Sequence, residues 1–267
     1  NDWQWRISGI MRHAQEFFAD NLQKYYGIKK RYELIHNDRN PLYIRIQIVR
    51  GSVSAGNVTE EDIIKDVQQY YAANQSEVTS HHHVLFAPHN LFKEGGMTWF
   101  SIPVESKLYN HRVAYLPFDH DNFSMKYFRY GLYARSYLST LGNVLFLLGG
   151  SFGLLQNAPN ATEIYSGLMN GYVYDYINNP TAYRLTAADV VILDQSEIFN
   201  PASTVAMYDK MPNPQKNSMT GIAVDAQLSR FVITGTFITD MPVAAVLVYN
   251  DPWRSVKGEE DEDQGVA

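Results

Sequence analysis

From about residue 80 onward the 3.6-residue apolar period that marks helices is lost. In its place stand short runs at 97–104, 111–118, 125–138, 143–148, 171–177, 183–193, 219–226, 229–238 and 243–249, separated by Gly, Pro, Asn and Asp. Strand-length runs at this spacing, with no helical pattern between them, predict a sandwich or barrel. The fold class expected is therefore mainly β, an antiparallel β-sandwich of jelly-roll type, single or compact double, with helices mostly in the N-terminal third. In 171–177, Tyr172, Tyr174 and Tyr176 fall on one face, as do Phe231, Ile233 and Phe237 in 229–238.

The first third reads differently. Trp3, Ile7, Ile10, Met11, Ala14, Phe17, Phe18, Leu22 and Tyr25 follow a helical period, which predicts an amphipathic helix rather than the continuous apolar stretch of a signal peptide. Leu42, Ile44, Ile46 and Ile48 alternate with Tyr43, Arg45, Gln47 and Val49, a strand pattern over Leu42–Arg50. A second helix is expected after Thr59, which is placed to cap it. Glu60, Glu61 and Asp62 favour its first turn, and Ile63, Ile64, Val67, Tyr70 and Tyr71 form its apolar face. These boundaries divide the chain into an N-terminal amphipathic arm (1–40), a β-sandwich domain (41–252) and an acidic tail (253–267). No internal repeat or linker interrupts the middle unit.

The charge distribution is lopsided. Residues 1–50 carry nine basic against five acidic groups, whereas the whole chain has a net charge of −6. A mildly basic arm suits contact with nucleic acid, a membrane surface or an acidic partner, and the alternative is a helix with an ordinary solvated face. Glu259, Glu260, Asp261, Glu262 and Asp263 form a carboxylate run that would ordinarily be a disordered tail and, if ordered, would need something to lie on, such as a neighbouring subunit. The chain opens at Asn1 without methionine, which implies processing or an earlier start. With 19% charged residues and 19 tyrosines, the surface suits extensive coverage by neighbours, since tyrosine supplies apolar area with a polar tip.

Several chemistries are excluded or weakened. Zero cysteines removes disulfides, thiolate zinc sites and a cysteine nucleophile. Gly149-Gly150-Ser151-Phe152-Gly153 matches the nucleophile elbow G-x-S-x-G. Its general base would have to be a later histidine, and every histidine lies at or before His120. Ser151 is therefore expected to be a turn residue, with Val144–Leu148 a buried strand leading into it. The charge-free stretch 136–162 is broken by Gly142, Gly149, Gly150 and Gly153, which disfavours a membrane span.

His81, His82 and His83, followed by His89, form the densest titratable cluster, and His81, His83 and His89 are the candidate metal ligands. There is no H-E-x-x-H motif, and the first carboxylate after His83 is Glu94. Surface or interface histidines are the simpler reading. Asp119, Asp121 and Asn122 make an oxygen-rich loop without EF-hand spacing, and there is no phosphate-binding glycine loop. Sequons at Asn57, Asn74, Asn122 and Asn160 are near what chance gives in an Asn-rich chain.

The strand-like Leu42–Arg50, Met97–Val104 and Tyr172–Ile177, with the closing pair Phe231–Ile238 and Val243–Tyr249, preceded by an amphipathic arm, resemble the jelly-roll coat (capsid) proteins of icosahedral viruses and phages. The resemblance spans roughly residues 40–250 at the level of pattern. It implies a structural protein of the virion, an oligomer that self-assembles with other copies and other shell proteins through loops and the arm. The arm would face nucleic acid or membrane; no catalysis, cofactor or small-molecule substrate would be involved. The alternative is a secreted or periplasmic β-sandwich enzyme or glycan-binding protein with a metal at His81, His83 and His89.

Overall fold

A computed structural model describes residues 2–54, 57–77, 82–88, 96–104, 107–118, 135–155, 183–200, 218–227 and 230–238. Four α-helices stand among them: α1 (Trp3–Tyr26), α2 (Glu60–Ala73), α3 (Arg135–Ser151) and α4 (Ala187–Gln195). The strands are β1 (His36–Asn37), β2 (Asn40–Ile44), β3 (His82–Pro88), β4 (Gly96–Val104), β5 (Lys107–Phe118), β6 (Ser218–Gln227) and β7 (Arg230–Ile238). They form three small sheets: the antiparallel pairs β1–β2 and β6–β7, and a three-stranded sheet in the order β3-β5-β4.

This arrangement overturns the jelly-roll expectation. The central sheet is mixed, with β3 parallel to β5 and β4 antiparallel to it, and helices cover it. Successive strand residues face opposite ways, and β3 shows where each side goes. Val84 and Phe86 pack on the main core shared by α1, α3 and α4, whereas Leu85 packs with Val67 and Tyr71 of α2. Thus β3 lies between two helical layers, which a jelly roll does not have.

Two of the runs expected as strands are helices. Residues 143–148 lie inside α3, and 187–193 form most of α4. Over 141–152 the side chains whose exposure is described are buried on nearly every side of α3, and such a pattern carries no amphipathic period. In α4, Thr186 and Asp189 form a capping box: the Asp189 amide donates to Thr186 Oγ1 (3.2 Å) and the Thr186 amide to Asp189 Oδ2 (2.8 Å). The strand expected over 42–50 ends at Ile44, and residues 135–138 of another expected strand begin α3. The runs 171–177 and 243–249, most of 125–138 and the acidic run 259–263 lie outside the described residues.

Other expectations match the structure. Thr59 caps α2 with a reciprocal box to Asp62, and β4, β5, β6 and β7 fall on the runs read as strands. The hairpin β6–β7 shifts register between Thr220 and Ala223, where Gly221 takes φ +62°, a conformation that suits glycine at a bulge.

The main core joins Ile10, Ala14, Phe18 and Leu22 of α1 to Leu141, Val144, Leu145 and Leu148 of α3 and to Val190 and Leu193 of α4. Phe18 and Leu22 are fully buried, each contributing ~1.5–3 kcal/mol relative to exposure. α1 is therefore a wall of the core rather than an arm that reaches away from it. Removing residues 1–30 would strip one side of the core. Phe18, Tyr32, Phe152 and Phe199 stack edge to face or tilted at centroid distances of 5.2–6.4 Å. Burial pushes the Tyr32 phenol far above its ordinary range, so it stays protonated and donates to the Met11 carbonyl (3.3 Å).

Polar groups fix α1 against its neighbours. Ser8 Oγ accepts from the Ile44 amide (3.0 Å), tying α1 to β2. Asn21, buried, donates to the Phe17 carbonyl (2.9 Å) and accepts from the Leu185 amide (3.1 Å), and the Tyr25 hydroxyl donates to the Leu185 carbonyl (3.1 Å). Asn21 thus satisfies the segment that leads into α4. Gly27 (φ +73°) closes α1 in the left-handed conformation, its amide donating to the Gln23 carbonyl (2.8 Å).

Two outcomes follow from these contacts. Asn21→Ala leaves the buried Leu185 amide without its acceptor and should cost ~1–3 kcal/mol in urea unfolding; a loss near zero would remove Asn21 from this role. Arg31 grips Glu16 through two hydrogen bonds (2.6 and 3.0 Å) and Lys29 adds a third contact (2.7 Å), holding the Glu16 carboxyl down to about 2. A carboxyl whose folded pKa lies below its ordinary value of 4.5 gives stability that is fully present above that value and lost as pH falls through the folded one. Glu16→Gln should therefore flatten the acid-side fall in stability in this window, measured by urea melts at stepped pH.

Candidate functional site

The two described histidines of the cluster sit on adjacent positions of β3, so their side chains enter different layers. His82 turns to the α3 side. Its ring meets Phe152 edge-on at 5.9 Å, and its Nε2 lies 3.8 Å from Glu197 Oε1, with the side chain nearly buried. Phe152 is held there by the end of α3, and Glu197 by the turn that follows α4.

His83 turns to α2. Its Nδ1 lies 3.2 Å from the Tyr71 hydroxyl, with the rings 5.0 Å apart. The Tyr71 hydroxyl donates to Gln47 Oε1 (2.7 Å), Gln47 Nε2 donates to Glu77 Oε2 (2.9 Å), and the Tyr70 hydroxyl donates to the same oxygen (2.6 Å). The Glu77 carboxylate fixes the Gln47 amide orientation, because only the NH2 end can donate to it. Gln47 Oε1 then takes the single proton of Tyr71. His83 Nδ1 is then placed to donate to the Tyr71 oxygen. Burial, then the neighbouring Tyr70 and Glu77, pushes the Tyr71 phenol up to about 12, so this donor persists at neutral pH. The Glu77 hydrogen bond raises the Tyr70 phenol as well.

The arrangement orders one imidazole on the α2 side of β3 and connects it to a carboxylate through a tyrosine and an amide. Orientation of that kind serves a binding surface or a proton-handling group. Sequence reading placed Tyr70 and Tyr71 only on the apolar face of α2 and missed Gln47 and Glu77. The available signal was the tyrosine pair itself, since a buried phenol requires a partner for its hydroxyl.

Of the candidate metal set His81, His83 and His89, only His83 is among the described residues; His81 and His89 lie outside them. Among the described residues no group of three His, Asp or Glu side chains is placed to hold a metal ion, and no helix is long and apolar enough to cross a membrane. His120, Asp119, Asp121 and Asn122 lie outside the described residues, and His111 sits on β5. Ser151 closes α3 with its hydroxyl donating to the Leu148 carbonyl (2.8 Å), buried in the core. It stands in a helix and not in the glycine-rich β segment expected for it.

No protein-family model matches the sequence, and no curated protein matches it significantly. Among solved structures, the fold is that of a protein crystallised with an O-glycopeptide substrate. Similar chains include wild-type OgpA from Akkermansia muciniphila in two crystal forms, with TM-scores of 0.68 and 0.69, and catalytically inactive OgpA in complex with the O-glycopeptide glycodrosocin, at 0.66. Identity is 16% in each case; 88% of this chain is covered, against 65–66% of OgpA, so this chain spans just under two thirds of its length. The likeness shows the fold. It corrects the expectations of a capsid protein and of a chain without catalysis, both of which rested on a jelly roll: the architecture is one that an enzyme uses.

Tyr71→Phe should remove the acceptor for His83 Nδ1–H and the donor to Gln47. The expected outcome is a loss of ~1 kcal/mol in stability and a change in the His83 ring nitrogen shifts in 15N-resolved NMR. Unchanged shifts would separate His83 from the network.

Proposed function

We propose that this chain recognises O-glycosylated peptides. The supporting observation is the fold likeness to OgpA over 88% of the chain, including the form of OgpA bound to an O-glycopeptide. The reading also agrees with the glycan-binding alternative drawn from the sequence, although the fold around it is mixed α/β rather than a sandwich.

The ordered face of β3 supports such a role. His83, Tyr71, Gln47, Glu77 and Tyr70 supply both donors and acceptors at the junction of β3 and α2, the combination that sugar hydroxyls require. A second reading, cleavage of the peptide, is favoured by OgpA having a catalytically inactive form.

Calorimetric titration with an O-glycopeptide such as glycodrosocin, alongside the same peptide without its glycan, tests both readings when the mixtures are also followed by mass spectrometry. Binding that requires the glycan is the expected result. Equal or absent binding of the two peptides, with neither cleaved, would overturn the proposal.

A further inference from the structure

The helix α3 carries an arrangement that neither reading above uses. From Leu141 to Phe152 every residue whose exposure is described is buried except Phe146 and Gly150. These two lie four apart and so share one face of the helix, on which Phe146 is half-buried against the edge of the core.

The helix then stops in a defined way. The Leu154 amide donates to the Gly149 carbonyl (3.0 Å), the Gly153 amide donates to the Gly150 carbonyl (2.9 Å), and Gly153 takes φ +96°. This is a Schellman closure with glycine at its left-handed position.

Peptide-cleaving zinc sites borne on a helix follow a related geometry. Two histidines four apart on one face bind the metal, and a glutamate after the first acts as base. In one class a glycine three residues beyond the second histidine turns the chain, and a third histidine follows three residues later. Gly153 lies three residues beyond Gly150, so it sets the register. In that register the positions of the first histidine, the glutamate, the second histidine and the third histidine hold Phe146, Leu147, Gly150 and Gln156. Phenylalanine, leucine and glycine side chains offer no donor, Leu147 is packed in the core, and no histidine follows His120 anywhere in the chain.

We propose that α3 keeps the backbone frame of a helix-borne metal-peptidase site, with its half-buried i,i+4 pair and glycine turn, while holding none of the metal-binding side chains. Hydrolysis by a metal-bound water therefore does not occur on this helix. The inference deepens the glycopeptide reading: it assigns the recognition of the peptide to a surface that is free of a helix-bound metal.

The test has two arms on the full chain. In the first, an O-glycopeptide is incubated with the protein in added zinc and, separately, with a chelator, and the products are read by mass spectrometry. No zinc-dependent cleavage is expected, whereas chelator-sensitive cleavage by the unaltered chain would overturn the proposal. In the second, F146H/G150H places imidazoles at the two half-buried positions and leaves the core residue Leu147 in place. If the frame is present, this variant should bind zinc about tenfold tighter than the unaltered chain in a competition titration with a chelating dye. A variant that melts cooperatively but gains no zinc affinity would contradict the assigned frame. Loss of glycopeptide binding in the calorimetric titration would count against the proposed function alone, because zinc affinity is read without any peptide.

Discussion

The rest of the structure depends on the burial of α3. A helix with apolar side chains on nearly all sides cannot stand against water, and its coverage dictates what lies around it. α1 supplies Ile10, Ala14, Phe18 and Leu22 on one side, α4 supplies Val190 and Leu193, and the sheet covers another side through β5 and β4. α1 therefore needs its own apolar face to be continuous from Ile7 to Leu22, and Gly27 to end it where the chain must reverse. The aromatic group of Phe18, Tyr32, Phe152 and Phe199 seals the end of α3 where the helix turns at Gly153.

The same burial positions the candidate site. Because α3 occupies one face of the central sheet, α2 is left to cover the other, and β3 becomes a strand with two differently covered faces. That is why adjacent histidines do different things. His82 is carried into the aromatic layer near Glu197, whereas His83 meets the tyrosines of α2. A pair of neighbouring histidines in sequence is thus two sites in space.

Much of the N-terminal half was legible because its signals are local. Thr59 and Asp62 define a helix start without tertiary help, and the apolar spacing of α1 persists long enough to leave no alternative. The strands β4 to β7 also fell where alternation and turn residues put them. The misreading of Val144–Leu148 has a physical cause: a helix buried all round and a buried strand present the same apolar run, and only length separates them. The uncharged stretch was too long for a strand, and its glycines, taken as turn signals, include Gly142 and Gly149 inside the helix. In α4 the capping pair Thr186 and Asp189 is a local helix signal, but the β-branched Val190, Val191 and Ile192 beside it give the run the composition of a strand. With those two segments read as strands, a sandwich followed, and from the sandwich came the coat protein. In the candidate site, the histidine cluster was visible as titratable residues close in sequence. Gln47 and Glu77 were not, because they are brought to His83 only when α2 packs on the sheet.

The functional account stands on α3 being a buried helix at the centre of the fold, since both the two-faced β3 and the half-buried pair Phe146 and Gly150 depend on it. Native-state amide hydrogen exchange tests this most directly. The amides of Val144, Leu145, Leu147 and Leu148 should exchange with the slowest set in the molecule, through global unfolding, together with those of Phe18 and Leu22 in α1. Exchange of the 144–148 amides well ahead of global unfolding, or protection alternating along the segment as in an edge strand, would contradict the account.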